Sequence, residues 1–426
     1  MIELIVTFVV FIAGALLLAS IQQRFDSTER KFIWAAFFAH AFAAMAQVWI
    51  TKYFYGGGDL LNYYHSGVRL ADWVAMEPAP HLVELLKLIL QREPYIPFRL
   101  PIGQGATGTM FGLAGLLAML LGKSLYGICL LLSTAAFFGQ LAIYVAFRRI
   151  FAPRFKKRLL VGALLVPSVV YWSSGLLKET VAMAGLGFLF LGIQGLVSGR
   201  YHTRHILIAA VGFVPLSLTK PYILFPFFIA AGAWYYWQRS LKTKGSVSVI
   251  SKPLYLILGL SVAIGAVLLF GELFPRYSIQ EISNELAATQ MHQQRVTGGS
   301  SYELGAPAAG PLGQLALLPL ALVSVLLRPF IFEVHNAMAL INSAETTVVL
   351  ISLVWIISKR GIKETYRMIT SSPAAIFCLV FVLIFGSIVG LAAPNLGTLS
   401  RYRVPMMPFY VTLVLILVPM GRSSRS

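Results

Sequence analysis

The sequence predicts an all-α, polytopic transmembrane protein. Three observations carry this: 58% of the 426 residues are hydrophobic, only 12% are charged, and mean hydropathy is +0.78. A soluble domain of this length needs about a quarter charged residues to cover its surface. Here apolar runs approaching the roughly 20 residues that a hydrocarbon core demands of a helix recur from end to end. No polar stretch exceeds a long loop, so residues 1–426 read as a single integral membrane domain. The net charge of +18 would suggest nucleic acid in a soluble chain. In a membrane chain it reflects the cytoplasmic excess of Lys and Arg, so no nucleic-acid partner is expected.

Spanning helices are predicted over residues 4–21, 32–50, 124–147, 159–176, 180–197, 206–219, 221–237, 253–271, 337–357, 374–393 and 404–420. Glu3, with no basic residue ahead of the first run, reads as the start of a retained helix rather than a cleaved leader. The basic connectors are Arg24/Arg30/Lys31, Arg148/Arg149/Arg154/Lys156/Lys157/Arg158, Arg200/Arg204, Arg239/Lys242/Lys244/Lys252 and Lys359/Arg360/Lys363/Arg367, with Arg422 and Arg425 in the tail. Together they hold 21 of the 34 basic residues. All of them face the cytoplasm if the N-terminus lies outside, the C-terminus inside, and the chain crosses eleven times. Two further apolar stretches, 106–122 and 312–327, break that count if they cross. They are expected as re-entrant or in-plane helices, which only protein packing or a cavity tolerates. Full crossing by both gives thirteen spans, so the expectation is about 11–13 membrane segments.

Two long outer loops follow, about 51–105 and 272–311. In the first, Leu82 to Leu90 reads as a short amphipathic helix along the interface. Cys129 and Cys378 lie inside apolar runs without CxxC partners and read as apolar filler.

Five polar clusters fall on the outer side. Gly56-Gly57-Gly58-Asp59 lets the backbone turn tightly before a carboxylate, followed by Tyr63-Tyr64. That carboxylate suits a general base or a metal partner, or a solvated turn. Trp172 to Glu179 places Lys178 and Glu179 inside apolar sequence, where charge is costly and usually kept for a role. Lys220, in Leu218-Thr219-Lys220-Pro221, stands in a tight outer turn against the positive-inside bias, where a functional and a purely structural reading weigh evenly. Arg328, Glu333, His335 and Asn336 fall within nine residues; an Arg–Glu pair closing a cavity is the plain alternative. Arg401 and Arg403 put two guanidinium groups in a short outer loop, and such groups bind phosphate bidentately. No Walker A loop, GxGxxG, HExxH or CxxC pattern is present in the sequence.

The layout resembles the GT-C superfamily of membrane glycosyltransferases. Gly58-Asp59 with Tyr63-Tyr64 resembles the acidic element of that superfamily's first large outer loop. Leu218-Thr219-Lys220 resembles a Thr-Lys turn of some branches, and Arg401-Tyr402-Arg403-Val404-Pro405 the step that opens a late helix. The elements at 172–179 and 328–336 are similar to those of exopolysaccharide-associated membrane proteins. Asp59 departs from the pattern by following the second helix rather than the first, and the doubled acidic motif of some branches is missing. The resemblance implies inverting transfer of a sugar from a polyprenyl-(pyro)phosphate carrier to a glycan or lipid hydroxyl, at the periplasmic face of a bacterial inner membrane. Asp59 would be the base, and Arg401, Arg403, Lys220 and Lys178 would hold the phosphate. Glu179, Arg328, Glu333, His335, Asn336, Tyr63 and Tyr64 would position substrate. The resemblance leaves room for a divalent cation, magnesium or manganese. An exopolysaccharide or O-antigen polymerase or ligase is the nearest rival. A transporter or flippase of lipid-linked glycan is the rival of another class, and it requires polar residues through the membrane depth.

Overall fold

The computed structural model describes residues 2–101, 105–199, 202–242, 310–334, 337–393 and 395–419. The expected span over 253–271 and the expected loop over 272–311 lie largely or wholly outside them, as do His335 and Asn336. Among the described residues the secondary structure is helical throughout, without a strand. Six helices among the described residues are long and apolar enough to cross a membrane: Ile2–Arg24, Ser27–Tyr55, Leu125–Ile150, Lys178–Val197, Ala339–Thr370 and Pro373–Ala392. The chain is therefore a helical membrane protein. It divides into two compact units, Met1–Arg149 with Val169–Pro221, and Ile150–Ser168 with Tyr222–Ser426.

In the first unit, α1 (Ile2–Ile21) and α2 (Ser27–Trp49) are joined by a short turn. A capping box starts α2: Glu29 N donates to Asp26 and Asp26 N to Glu29, an arrangement that satisfies two orphan donors at once. Glu29 is buried and also meets Arg148 at 3.0 Å and the Tyr144 hydroxyl at 2.5 Å. A wide helical turn over Ile50–Tyr55 continues α2, with Tyr53, Phe54 and Tyr55 exposed. Aromatic rings at the end of a span suit the membrane–water boundary.

The segment expected as a loop over 51–105 is mostly helix. α3 (Asp59–Met76) and α4 (Pro78–Ile89) occupy it, and α5 (Gly105–Leu120) follows. The amphipathic helix expected over 82–90 is the second half of α4. The Asp59–Tyr64 stretch is not a turn, as expected, but the opening of α3. Gly58 adopts φ 128° and releases the chain from the glycine run into the helix. Tyr63 then falls on the buried face, 5.6 Å from the Phe111 ring. Tyr64 instead donates its hydroxyl to Lys123 O at 2.7 Å.

α6 (Leu125–Ile150) is the most enclosed span of this unit. α9 (Lys178–Val197) and α10 (Thr203–Thr219) form a tight antiparallel hairpin. A Cβ at Gly192 would lie 2.5 Å from Ala209 N, and one at Gly212 would lie 2.2 Å from Leu189 N. Small residues that admit such backbone approach are the usual means of helix association in lipid.

The expected span over 159–176 is corrected. It is broken into α7 (Lys156–Leu164) and α8 (Pro167–Trp172). Pro167 has no N–H and pushes Val166 out of the helical region, so a uniformly apolar run still breaks.

The second unit holds α7, α11 (Leu224–Lys242), α12 (Gly310–Leu327), α13 (Ala337–Thr370), α14 (Pro373–Ala392), α15 (Leu396–Tyr402) and α16 (Met407–Leu417). α7 packs on α16, where a Cβ at Gly162 would lie 2.4 Å from Thr412 Oγ1. Arg158 donates to Leu415 O and Val418 O at 2.9 and 2.6 Å, and Arg360 to Leu417 O at 2.8 Å. Cations there satisfy the last carbonyls of α16 and oppose its negative end. Cys129 and Cys378 are buried free thiols, one in each unit.

Candidate functional site

In the first unit the singled-out charges converge where α9 begins and α10 ends. Glu179 is in the first turn of α9 and Lys220 follows the last turn of α10. Their side chains are 1% and 3% exposed and meet at 2.8 Å. An acid at a helix N-terminus and a base at a C-terminus each complement the local dipole. The antiparallel hairpin brings these two ends together, and Pro221 prevents α10 from running on. A buried ion pair is weak evidence for stability, because desolvation offsets much of the attraction. Ionisable groups within membrane-spanning segments are rare and costly, and they often mark functional sites.

Lys178 is adjacent. A cation in the first helical turn opposes the dipole, yet its ammonium donates to Thr107 Oγ1 of α5 at 2.8 Å and remains partly exposed. Gln91, just beyond α4, donates to Leu218 O at 2.7 Å and to Thr109 Oγ1 at 3.2 Å. The helices of the 51–105 segment thus reach the same end of the α9–α10 hairpin. Asp59 is exposed at the start of α3, and the next residue, Leu60, is buried in one cluster with Leu176 and Leu177. Asp59, Lys178, Glu179 and Lys220 therefore belong to one end of this unit. Tyr63 and Tyr64 face the core and a loop carbonyl respectively.

What precedes α9 is a break over residues 173–177. Gly175 adopts φ +123°, and a Cβ there would lie 2.0 Å from Gln47 Oε1. Ser173 and Ser174 are fully buried and join a network that crosses two spans. Gln140 Nε2 donates to Ser173 Oγ and to His40 Nε2, both at 3.0 Å. His40 Nδ1 is 3.1 Å from Ser174 Oγ, and Ser133 Oγ is 2.9 Å from both His40 O and Ser174 Oγ. Gln47 Nε2 donates to Tyr171 O at 3.1 Å. Sequence reasoning missed the α2 and α6 members of this network. The signal was present: His40 and Gln47 are seven residues apart in α2, and Ser133 and Gln140 seven apart in α6, each pair on one helix face.

The second unit holds the other expected residues. Arg403 is wholly buried and donates Nη1 to Arg328 O at 2.7 Å and to Val325 O at 3.3 Å, closing the end of α12. Its Nη2 is 3.9 Å from the Glu345 carboxylate. Glu345 accepts Ser168 N at 2.9 Å and Ser168 Oγ at 2.8 Å. Arg328 and Glu333 pair with each other, the latter also accepting Phe330 N at 2.8 Å. Arg401 is partly exposed on α15, whose start is capped by Asn395 Oδ1 accepting Thr398 N at 2.7 Å.

Among the described residues no three His, Cys, Asp or Glu side chains converge as a divalent ion would need. No family model, curated protein or solved structure matches this chain.

Proposed function

We propose that this protein is a membrane glycosyltransferase of GT-C-like plan, with about 11–13 membrane segments, an outer N-terminus and a cytoplasmic C-terminus. It would move a sugar from a polyprenyl-(pyro)phosphate carrier to a glycan or lipid hydroxyl at the periplasmic face of a bacterial inner membrane. The observation that carries this reading is the charge cluster at the opening of α9. There a partly exposed Lys178 stands beside the buried Glu179–Lys220 pair, at the same end as the exposed Asp59. In this reading Asp59 takes the proton of the acceptor hydroxyl as its oxygen attacks the anomeric carbon. The carbon–oxygen bond to the carrier breaks, and the departing phosphate keeps the electron pair. Lys178, the partly exposed cation of that cluster, stabilises the developing charge, usually a large contribution to such reactions. Lys220 acts from behind by holding Glu179.

Polar residues inside α2 and α6 are what a transporter would require. Here they are 0–2% exposed and bonded to one another and to the break before α9. That favours the enzyme reading over the flippase.

The test pairs topology with turnover. Single cysteines at positions 59, 178 and 401, in a background with Cys129 and Cys378 replaced by serine, are probed with a membrane-impermeant thiol reagent. Labelling from outside at all three is expected; labelling of any only from the cytoplasm sinks the outer site. In membranes supplied with polyprenyl-linked sugars, Asp59→Asn is expected to lose transfer about a hundredfold or more at unchanged expression. Wild-type turnover in that variant removes Asp59 from the mechanism.

A further inference from the structure

The buried network before α9 does more than fill space. As the Gln140 amide is placed, it donates to His40 Nε2, so that nitrogen accepts and the ring proton sits on Nδ1. His40 Nδ1–H then points at Ser174 Oγ, 3.1 Å away, and Ser174 in turn donates to Val170 O at 2.6 Å. Ser133 adds a second contact to Ser174, and Gln140 reaches Ser173, which donates to Val169 O at 2.6 Å. Gln47 reaches Tyr171 O and abuts Gly175. All of these contacts but the Gln140–His40 bond involve residues 171–175, shortly before Lys178 and Glu179. His40 is 1% exposed and cannot itself meet a substrate. A tether made of hydrogen bonds in a low-dielectric span is strong, and it fixes direction as apolar packing does not.

We propose that His40 is a positioning residue: by holding Ser174 it fixes the break that aims Lys178 and orients Glu179 toward Lys220. The inference rests on the glycosyl-transfer reading of that site. His40 touches neither donor nor acceptor, so its loss should leave binding largely intact and slow the step that needs Lys178 in place.

The test uses the full chain in lipid nanodiscs, with His40→Leu, His40→Asn and Ser174→Ala. Asparagine keeps a donor near the Nδ1 position, whereas leucine keeps only bulk. With the polyprenyl-linked sugar donors of the transfer assay, His40→Leu is expected to lower kcat about tenfold or more with KM within about twofold. His40→Asn is expected to recover most of that loss. Amide exchange over residues 173–181 should quicken in His40→Leu and Ser174→Ala but not in His40→Asn. If His40→Leu fails to fold, Ser174→Ala carries the test, because it removes one hydroxyl and leaves the ring. Equal effects of leucine and asparagine overturn the proposal, as does unaltered exchange over 173–181 or a loss confined to KM. If the wild type transfers no sugar from any donor, the enzyme reading falls. The exchange pattern then decides alone whether His40 holds the start of α9.

Discussion

Gly175 is the residue on which the start of α9 turns. Two independent constraints meet there: φ +123°, which L side chains rarely adopt, and a Gln47 oxygen where a Cβ would stand. Gly175→Ala is expected to cost about 1–3 kcal/mol from backbone strain and the clash together, read as a lower unfolding temperature in detergent. Gln47→Ala in the same chain should restore only part of it, since it relieves the clash and not the dihedral. The Glu179–Lys220 pair behaves differently. Removing one partner strands a buried charge, so Lys220→Met is expected to destabilise by about 3–5 kcal/mol. The double variant Glu179→Gln/Lys220→Met should recover most of that loss in a thermal scan. Additive losses in the double variant would show that the two groups do not depend on each other.

At the scale of elements, the α9–α10 hairpin depends on backbone approach. Gly192→Val, which would push a side chain into Ala209, is expected to abolish the monodisperse peak in size-exclusion chromatography, whereas substitution at the exposed Val211 should be neutral. The sequence exposed the helices themselves, because about 20 apolar residues can do little else in lipid. It also marked Lys178 and Glu179, whose charges stand out in apolar surroundings. It did not show that Glu179 meets Lys220, since a pairing over 41 residues needs the hairpin to exist first. Nor did hydropathy reveal the break at Pro167, because the run on either side is apolar and only the proline's backbone chemistry ends the helix. The Asp59 segment was read as a loop for the converse reason. Its three glycines dominate the local signal, while the buried face of α3 that follows declares itself only once α5 is there to cover it. The partners of Glu345, Ser168 and Arg403, lie far off in sequence. Ser168→Ala is expected to cost about 1–3 kcal/mol by leaving that carboxylate short of a donor, measurable as a shift in the denaturation midpoint.

Across the whole molecule, each unit buries an acid–base pair: Glu179 in the first turn of α9 with Lys220 after the last turn of α10, and Glu345, more than two turns inside α13, with Arg403 just past α15. Each pair sums to zero charge. A lone charge displaced through a membrane under voltage gains or loses about 2.3 kcal/mol per 100 mV, whereas a neutral couple moving as one body gains nothing. The resting potential of a cell therefore exerts no net pull on either pair. In proteoliposomes the protease resistance of the wild type should not change with an imposed potential, and that of Lys220→Met should. The pairing that looks, in static terms, like an expensive way to bury charge also leaves each couple electrically silent, so that a fall in membrane voltage does no net work on either.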